Sequence, residues 1–417
     1  MSGLEGIALT DEDRAILALE SAAVVGHTCK VVLVGPGAPT AERLRGSVLE
    51  RLASVPALTR RLGGTAERPV WVDDVRFDVA AHVVAADVNP CDEESMRVKV
   101  ARLFSERLDR SRPLWRIDVL RLASDGAVLV WRIHHALADG TTAMGFADAV
   151  LWDTLPGAGA AAPRPHPGYD ESRRRLRLAA FLRHELTLGH QRSPFDGTIG
   201  AERDIAFAGA PLQALHDAAH RLAGATVNDA VLTAVAGGLR AWIRDHHGHA
   251  GKLRVKVPVS LHHAGDDEGN RDSFFTVELP LDEPDPVARL TAIRAATAAR
   301  KADHDAETLD LLMHDLARVS PQLEHLVRRL EASPRAFALN VSNVPGPRTT
   351  VAVLGVPVEA VYSIAEIGER HALRVAVVSM AGRLHFGLCS DPAIVGGIDL
   401  LAAGVEAEAT EIVAAAT

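Results

Sequence analysis

Cysteine, aromatic side chains, surplus positive charge and long apolar runs are all scarce in this 417-residue chain. The three cysteines, Cys29, Cys91 and Cys389, are odd in number and far apart. They form no CxxC pair, which excludes a disulfide framework and a zinc knuckle and fits a reducing, cytoplasmic compartment. Aromatic residues make up 4% of the chain, so any pocket wall is expected to be aliphatic. Lys and Arg number 45 against 54 Asp and Glu, a net charge of -9. A general nucleic-acid binder needs the opposite balance to neutralise phosphates. No stretch approaches the roughly 18–20 uninterrupted apolar residues of a membrane span. The opening "MSGLEGIALTDEDRAILALE" is acidic and does not read as a signal peptide. Three familiar motifs are missing as well: a GxSxG nucleophile elbow, a GxxxxGK[ST] phosphate loop and a GxGxxG fingerprint after a strand.

Apolar residues supply 47% of the chain, ample for a core, and the length exceeds what one ordinary core fills. Two halves are expected. Residues 1–155 alternate helical and strand-like patterns, including the hairpin signal "LWRIDVLRL-ASDG-AVLVWRI". Residues 156–192 form a linker, "PGAGAAAPRPHP", followed by a basic helix. In that helix Leu176, Leu178, Phe181, Leu182 and Leu186 offer an apolar side, and Arg173, Arg174, Arg175, Arg177 and Arg183 the charge. It reads as a crossover helix packed on the body or, alternatively, as a helix lying on an anionic lipid surface. Residues 193–417 resume the alternation. The fold class is α/β or α+β, with mixed sheets in two lobes.

Three His-His pairs compete for a chemical role. His246 and His247 sit in "RDHHGHAGK", a solvated context. His262 and His263 precede the acidic stretch Gly265–Gly269, but no helical i, i+4 histidine pair fixes a metal geometry there, and no metal site is expected. His134 and His135 end an apolar strand, and a helix follows. Adjacent strand residues point to opposite faces, so one histidine can work while the other supports it. Asp139 and Gly140 follow closely. Asp139 can orient an imidazole, brace the loop through an arginine, or simply cap the helix. Neutral imidazole, with an ordinary pKa of about 6.5, is a good general base. With no nucleophile and no cofactor motif, proton abstraction from a substrate hydroxyl or amine fits best, and with it group transfer from an activated donor.

"HHALADG" matches the HHxxxDG motif of the CoA-dependent acyltransferase superfamily, which includes chloramphenicol acetyltransferase and peptide-synthetase condensation domains. "LDRSRPLWRIDVL", "WVDDVRFDVAAHV", "SPFDGTIGAERDIAF", "ATVNDAVLTAVAGGLR", "VPVSLHHAGDDEGNRDSFFTVELP" and "NVSNVPGP" follow the order and spacing of one branch. From about Leu9 to Asp391 the chain resembles the bacterial wax ester synthase/acyl-CoA:diacylglycerol acyltransferase family. The resemblance implies two chloramphenicol-acetyltransferase-like lobes with an active-site tunnel between them. It implies long-chain acyl transfer from acyl-CoA, a co-substrate rather than a cofactor, to a fatty alcohol or diacylglycerol. His135 becomes the general base, and His134, Asp139 and Gly140 shape the motif. Asn343 is a candidate oxyanion donor or a turn stabiliser. Asn228 and Asp229 cap a helix or line the tunnel. Pro113, Leu114 and Trp115 are expected to pack the start of a strand and to shape the acyl pocket. Peripheral contact with the inner membrane or a lipid droplet fits such substrates. A superfamily member with another acceptor, such as a polyketide or glycolipid, and a silent lipid-binding protein are the alternatives. The chain departs from the family at its N-terminal "PMHVG"-like stretch, where only His27 matches, within "DRAIL", and at "SMAG", where Met380 replaces a tyrosine.

Overall fold

A computed structural model describes residues 6–65, 67–86, 89–153, 193–260, 272–302 and 336–417. The basic helix of 171–192 and the acidic stretch with His262 and His263 lie outside these residues. The first half contains β1 (Ile7–Ala8), α1 (Asp11–Ala18), β2 (His27–Val34), α2 (Ala41–Arg51), β3 (Arg60–Gly64), β4 (Pro69–Asp73), α3 (Val79–His82) and β5 (Val83–Ala85). It continues with α4 (Glu93–Ser105), β6 (Trp115–Arg121), β7 (Ala127–His134) and α5 (Gly140–Val150). The second half runs β8 (Asp204–Pro211), α6 (Leu212–Ala223), α7 (Val227–His247), β9 (Lys252–Ser260), β10 (Asp272–Pro280) and α8 (Pro286–Ala302). It ends with β11 (Leu339–Pro345), β12 (Ala352–Val353), β13 (Val356–Ala365), β14 (Leu373–Met380), β15 (Arg383–Ser390) and α9 (Ile398–Ala415).

Two six-stranded sheets organise these elements, in the orders β12-β13-β2-β7-β6-β5 and β10-β9-β11-β14-β15-β8, beside a small β1-β4-β3 sheet. The hairpin expected from the ASDG turn signal is present, with β6 pairing antiparallel with β7, and β14 pairs antiparallel with β15. The chain order hides one feature. Strands β12 and β13 come from the second half yet complete the first sheet, where β13 pairs antiparallel with β2. The 193–417 segment therefore contributes to both sheets, and the linker does not separate two independent ones. The two sheets also meet closely: a Cβ on Gly387 of β15 would lie 2.1 Å from the Ser363 carbonyl oxygen of β13. Only glycine leaves room for that backbone-to-side contact.

Apolar residues explain the layers. Val32, Leu129, Trp131 and Ile133 point from the first sheet onto Leu44 and Val48 of α2 and Ala143 and Ala147 of α5. The alternate residues Cys29, Val31, Val128 and Val130 belong to the core that runs through α4 into the second lobe. Both faces of β7 are thus covered, and its pattern is a continuous apolar run rather than an alternation. One buried ion pair interrupts it. Arg132 of β7 donates to Asp118 Oδ2 of β6 at 2.7 Å and to the carbonyls of Leu103 and Glu106 at the end of α4. A desolvated guanidinium held by these three acceptors fixes the strand, just ahead of the histidine pair, in one place.

Candidate active site

The end of β7 is fastened on both sides. The His134 N–H donates to the Leu114 carbonyl at 2.9 Å, and the His135 N–H donates to the Gly26 carbonyl at 2.9 Å. The Pro113-Leu114-Trp115 segment therefore positions the histidine pair through its backbone. Its side chains are buried. Trp115 Nε1 donates to the Leu58 carbonyl at 2.7 Å, and the indole stacks on His82 with ring centroids 4.6 Å apart.

Strand phase then separates the two histidines. His134 turns toward Glu20, with Nε2 at 2.8 Å from Glu20 Oε1. Its Nδ1 accepts the Ala136 N–H at 3.1 Å. A ring whose Nδ1 is an acceptor carries its proton on Nε2, so His134 donates to the carboxylate. His135 faces the other way. The residue is half-buried, and its Nδ1 is closed off from solvent. Burial, then the positive charge of Arg374 on β14, hold its pKa down at about 4, while Asp139 pulls upward. The ring is uncharged at neutral pH and can accept a proton.

Asp139 is the N-cap of α5 and accepts the Thr142 N–H at 2.6 Å. Its charge also acts on Lys30, whose ammonium donates to Ser363 Oγ at 2.9 Å. Burial pulls Lys30 down to about 8, against the pull of Cys29 and Asp139. A buried lysine of β2 thus lies within electrostatic reach of the motif's aspartate. Gly140 leaves space for the second lobe, since a Cβ there would meet Val344 Cγ2 of β11 at 3.1 Å.

That contact also sets the phase of β11. Val344 packs in the first-lobe core, whereas Val341 belongs to the second-lobe core. Asn343 shares the face of Val341 and so points away from the side that meets Gly140. Asn228 and Asp229 lie at the start of α7, away from β7. Asp229 is the N3 residue of a capping box with Thr226, and its Oδ1 also accepts from Thr297 of α8 at 2.6 Å. Of the candidate residues, His134, His135, Asp139, Gly140, Leu114 and Trp115 come together, and Asn228 and Asp229 form a separate structural unit. His246 stacks on Trp242 at 4.2 Å and is exposed. Among the described residues no group of His, Cys, Asp and Glu could hold a metal ion.

Glu20, Lys30 and Arg374 escape a motif-based reading. A signal was present for two of them: Lys30 in "CKVVLVG" and Arg374 in "LRVAVV" are lone cations inside apolar strands, where charge is costly unless paired.

Two six-stranded sheets meeting at a histidine-bearing strand end define a fold of the condensation-domain type. The first condensation domain of the CDA synthetase superposes with a TM-score of 0.67 at 17% identity, over 99% of this chain and 97% of that one. The wax ester synthase/diacylglycerol acyltransferase of Marinobacter aquaeolei superposes with a TM-score of 0.74 at 21% identity, over 98% and 99%. The family model of the wax ester synthase/diacylglycerol acyltransferase catalytic domain matches residues 9–186, and that of the WS/DGAT C-terminal domain matches 268–413. The chain belongs to this family and is an acyltransferase. Among relatives, the probable diacylglycerol O-acyltransferase tgs1 of Mycobacterium tuberculosis is 28% identical over 92% of this chain and 90% of its own length. The probable diacylglycerol O-acyltransferase tgs2 of the same species is 29% identical over 78% and 80%.

Proposed function

We propose that this acyltransferase moves a long-chain acyl group from acyl-CoA to the hydroxyl of a fatty alcohol or diacylglycerol, with His135 as general base and no cofactor. The observation that carries the reading is the enclosed, uncharged His135 ring at the β7 end, opposite Arg374 of the other sheet. His135 removes the acceptor's hydroxyl proton as the oxygen attacks the thioester carbonyl. A C–O bond forms and the carbonyl oxygen becomes an oxyanion. When the C–S bond breaks, the imidazolium returns its proton to the CoA thiolate. The charge of Arg374 opposes an imidazolium formed alone, but it favours one formed together with an oxyanion. Enclosure between the lobes disfavours hydrolysis of the thioester.

The test is thiol release from palmitoyl-CoA with hexadecanol, diolein or no acceptor. General bases contribute roughly 10²–10⁴-fold, so His135→Ala is expected to lose acceptor-dependent release by that factor. Unchanged release would remove His135 from the mechanism. The acceptor panel separates wax ester from triacylglycerol synthesis, and both from a polyketide or glycolipid acceptor. Among the described residues no single helix is long and apolar enough to cross a membrane. We place the enzyme in the cytoplasm, meeting its lipid substrates peripherally at the inner membrane or a droplet surface, with the Arg173–Arg177 cluster as the contact to test. Charge reversal there is expected to abolish liposome flotation; flotation that persists assigns the contact elsewhere.

A further inference from the structure

We propose that Glu20 is a positioning residue for acyl transfer: it holds His134 in the tautomer that anchors the turn presenting His135. The proposal rests on His135 being the base. Glu20 follows α1, more than a hundred residues before the histidines, yet its carboxylate is largely buried against His134. It accepts from His134 Nε2 at 2.8 Å and from Arg110 at 2.6 Å through Oε1, and from Arg107 at 2.7 Å through Oε2. Arg107 also donates to the Val24 carbonyl at 3.0 Å, so the carboxylate is tied to the segment leading into β2.

The consequence lies on the far side of the His134 ring. A neutral imidazole has one donor nitrogen and one acceptor nitrogen. The carboxylate can only accept, so it selects the tautomer protonated on Nε2. Nδ1 is then left as the acceptor that the Ala136 N–H requires, at 3.1 Å. His135 lies between the two bonded partners. With the opposite tautomer, Nδ1–H would face Ala136 N–H, donor against donor, and the turn would lose its anchor. Gly26 closes the arrangement. Its φ is +74°, and a Cβ there would fall 2.7 Å from His134 Nε2 and 2.9 Å from Glu20 Cγ. The same glycine's carbonyl receives the His135 N–H at 2.9 Å. Ordinary burial would raise the Glu20 carboxyl, but bonds from His134 and Arg110 bring it down to about 2. The carboxylate stays ionised wherever the enzyme works.

A positioning role has a kinetic form that a general folding role lacks. Glu20→Ala is expected to lower kcat roughly 10–100-fold, as misplacement of a catalytic group does, with KM for palmitoyl-CoA and hexadecanol kept within about twofold. Glu20→Gln keeps a carbonyl oxygen for His134 and is expected to retain kcat within about fivefold, because one acceptor suffices for this bond. On a His134→Ala background, Glu20→Ala should change kcat by less than about twofold, since a residue acting through another is not additive with it. A full-sized Glu20→Ala loss on that background overturns the proposal. Nitrogen-15 histidine spectra supply a second measurement, independent of activity. The His134 signal, assigned by its loss in His134→Ala, should report protonated Nε2 in the wild type and mixed tautomers in Glu20→Ala. An unchanged tautomer also overturns the proposal. His135→Ala, assayed alongside, separates the two failures. If it retains wild-type release, the base assignment falls; if it is inactive while either Glu20 criterion fails, only the Glu20 role falls.

Discussion

The starts of α5 and α7 are built alike and used differently. Each carries a motif with a carboxylate near the helix N-terminus, "HHALADG" before α5 and "TVNDA" at α7. Asp139 caps α5 through the Thr142 N–H, and Asp229 closes a capping box with Thr226. What differs is the preceding chain. α5 follows β7 with only a tight turn between, so the strand's last side chains reach the space between the sheets. α7 follows α6 and the left-handed Gly224, so its first turn packs against α8, where Thr297 meets Asp229. A capping carboxylate is structural in both places. The proposed chemistry belongs to the place where the cap also steadies a strand end that presents an imidazole.

Removing each carboxylate tests that contrast most strongly. Asp139→Ala is expected to lower kcat roughly 10–100-fold, because the turn holding His135 shifts. Asp229→Ala is expected to destabilise the protein by about 1–2 kcal/mol through the lost cap, measured by denaturant unfolding. Its kcat at a temperature well below unfolding should stay within about twofold, as for sites that share no partners with the chemistry. If Asp229→Ala instead lost activity without stability, the ND pair would belong to the site.

The acid limb of activity is a smaller but sharper test. An ordinary imidazole gains its proton near pH 6.5, as the base would if it were exposed. His135 is held at about 4 by burial and by Arg374. The base form is the neutral one, so a lowered pKa extends activity to lower pH. The free-enzyme profile, kcat/KM, is expected to stay flat from pH 8 down to about 5 and to fall through the pKa near 4. Glu20, at about 2, adds no limb in that range. A limb near 6.5 would mean that His135 is solvated or that another histidine is the base. Arg374→Gln should move the limb upward, because it removes a charge that disfavours the imidazolium.

Much of this was legible from sequence, and the rest was hidden for physical reasons. Periodicity and turn residues located the β6–β7 hairpin, because its strands bury continuous apolar faces. The HHxxxDG spacing drew attention to one of three histidine pairs, and strand alternation anticipated the different surroundings of His134 and His135. Long-range placement was hidden. Nothing in the local pattern of 352–365 says that these strands join the first sheet, since any exposed strand edge pairs equally well. Glu20 and Arg374 meet the histidines only through tertiary packing, across a separation of 114 residues in the case of Glu20 and His134. An ordinary-looking acid after a helix carries no mark of such a partner.

Asn343 offers the finest version of the same comparison, because one step of strand phase decides its role. Its motif, "SNVPGP", suggested an oxyanion donor. In β11, Val344 meets Gly140, and Asn343 takes the opposite face with Val341. Gly346 follows in the corner, where a Cβ would lie 2.5 Å from the Ser379 carbonyl oxygen and 3.6 Å from Met144 of α5. The motif thus reads as a close-packed seam between β14 and α5, with the asparagine turned from it. Loss of an oxyanion donor costs roughly 10²–10³-fold in kcat, so the size of the effect discriminates cleanly. Asn343→Ala is expected to change kcat for palmitoyl-CoA and hexadecanol by less than about threefold, well below that range. A hundredfold loss would show that the strand end rotates when substrate binds, and it would return Asn343 to the site.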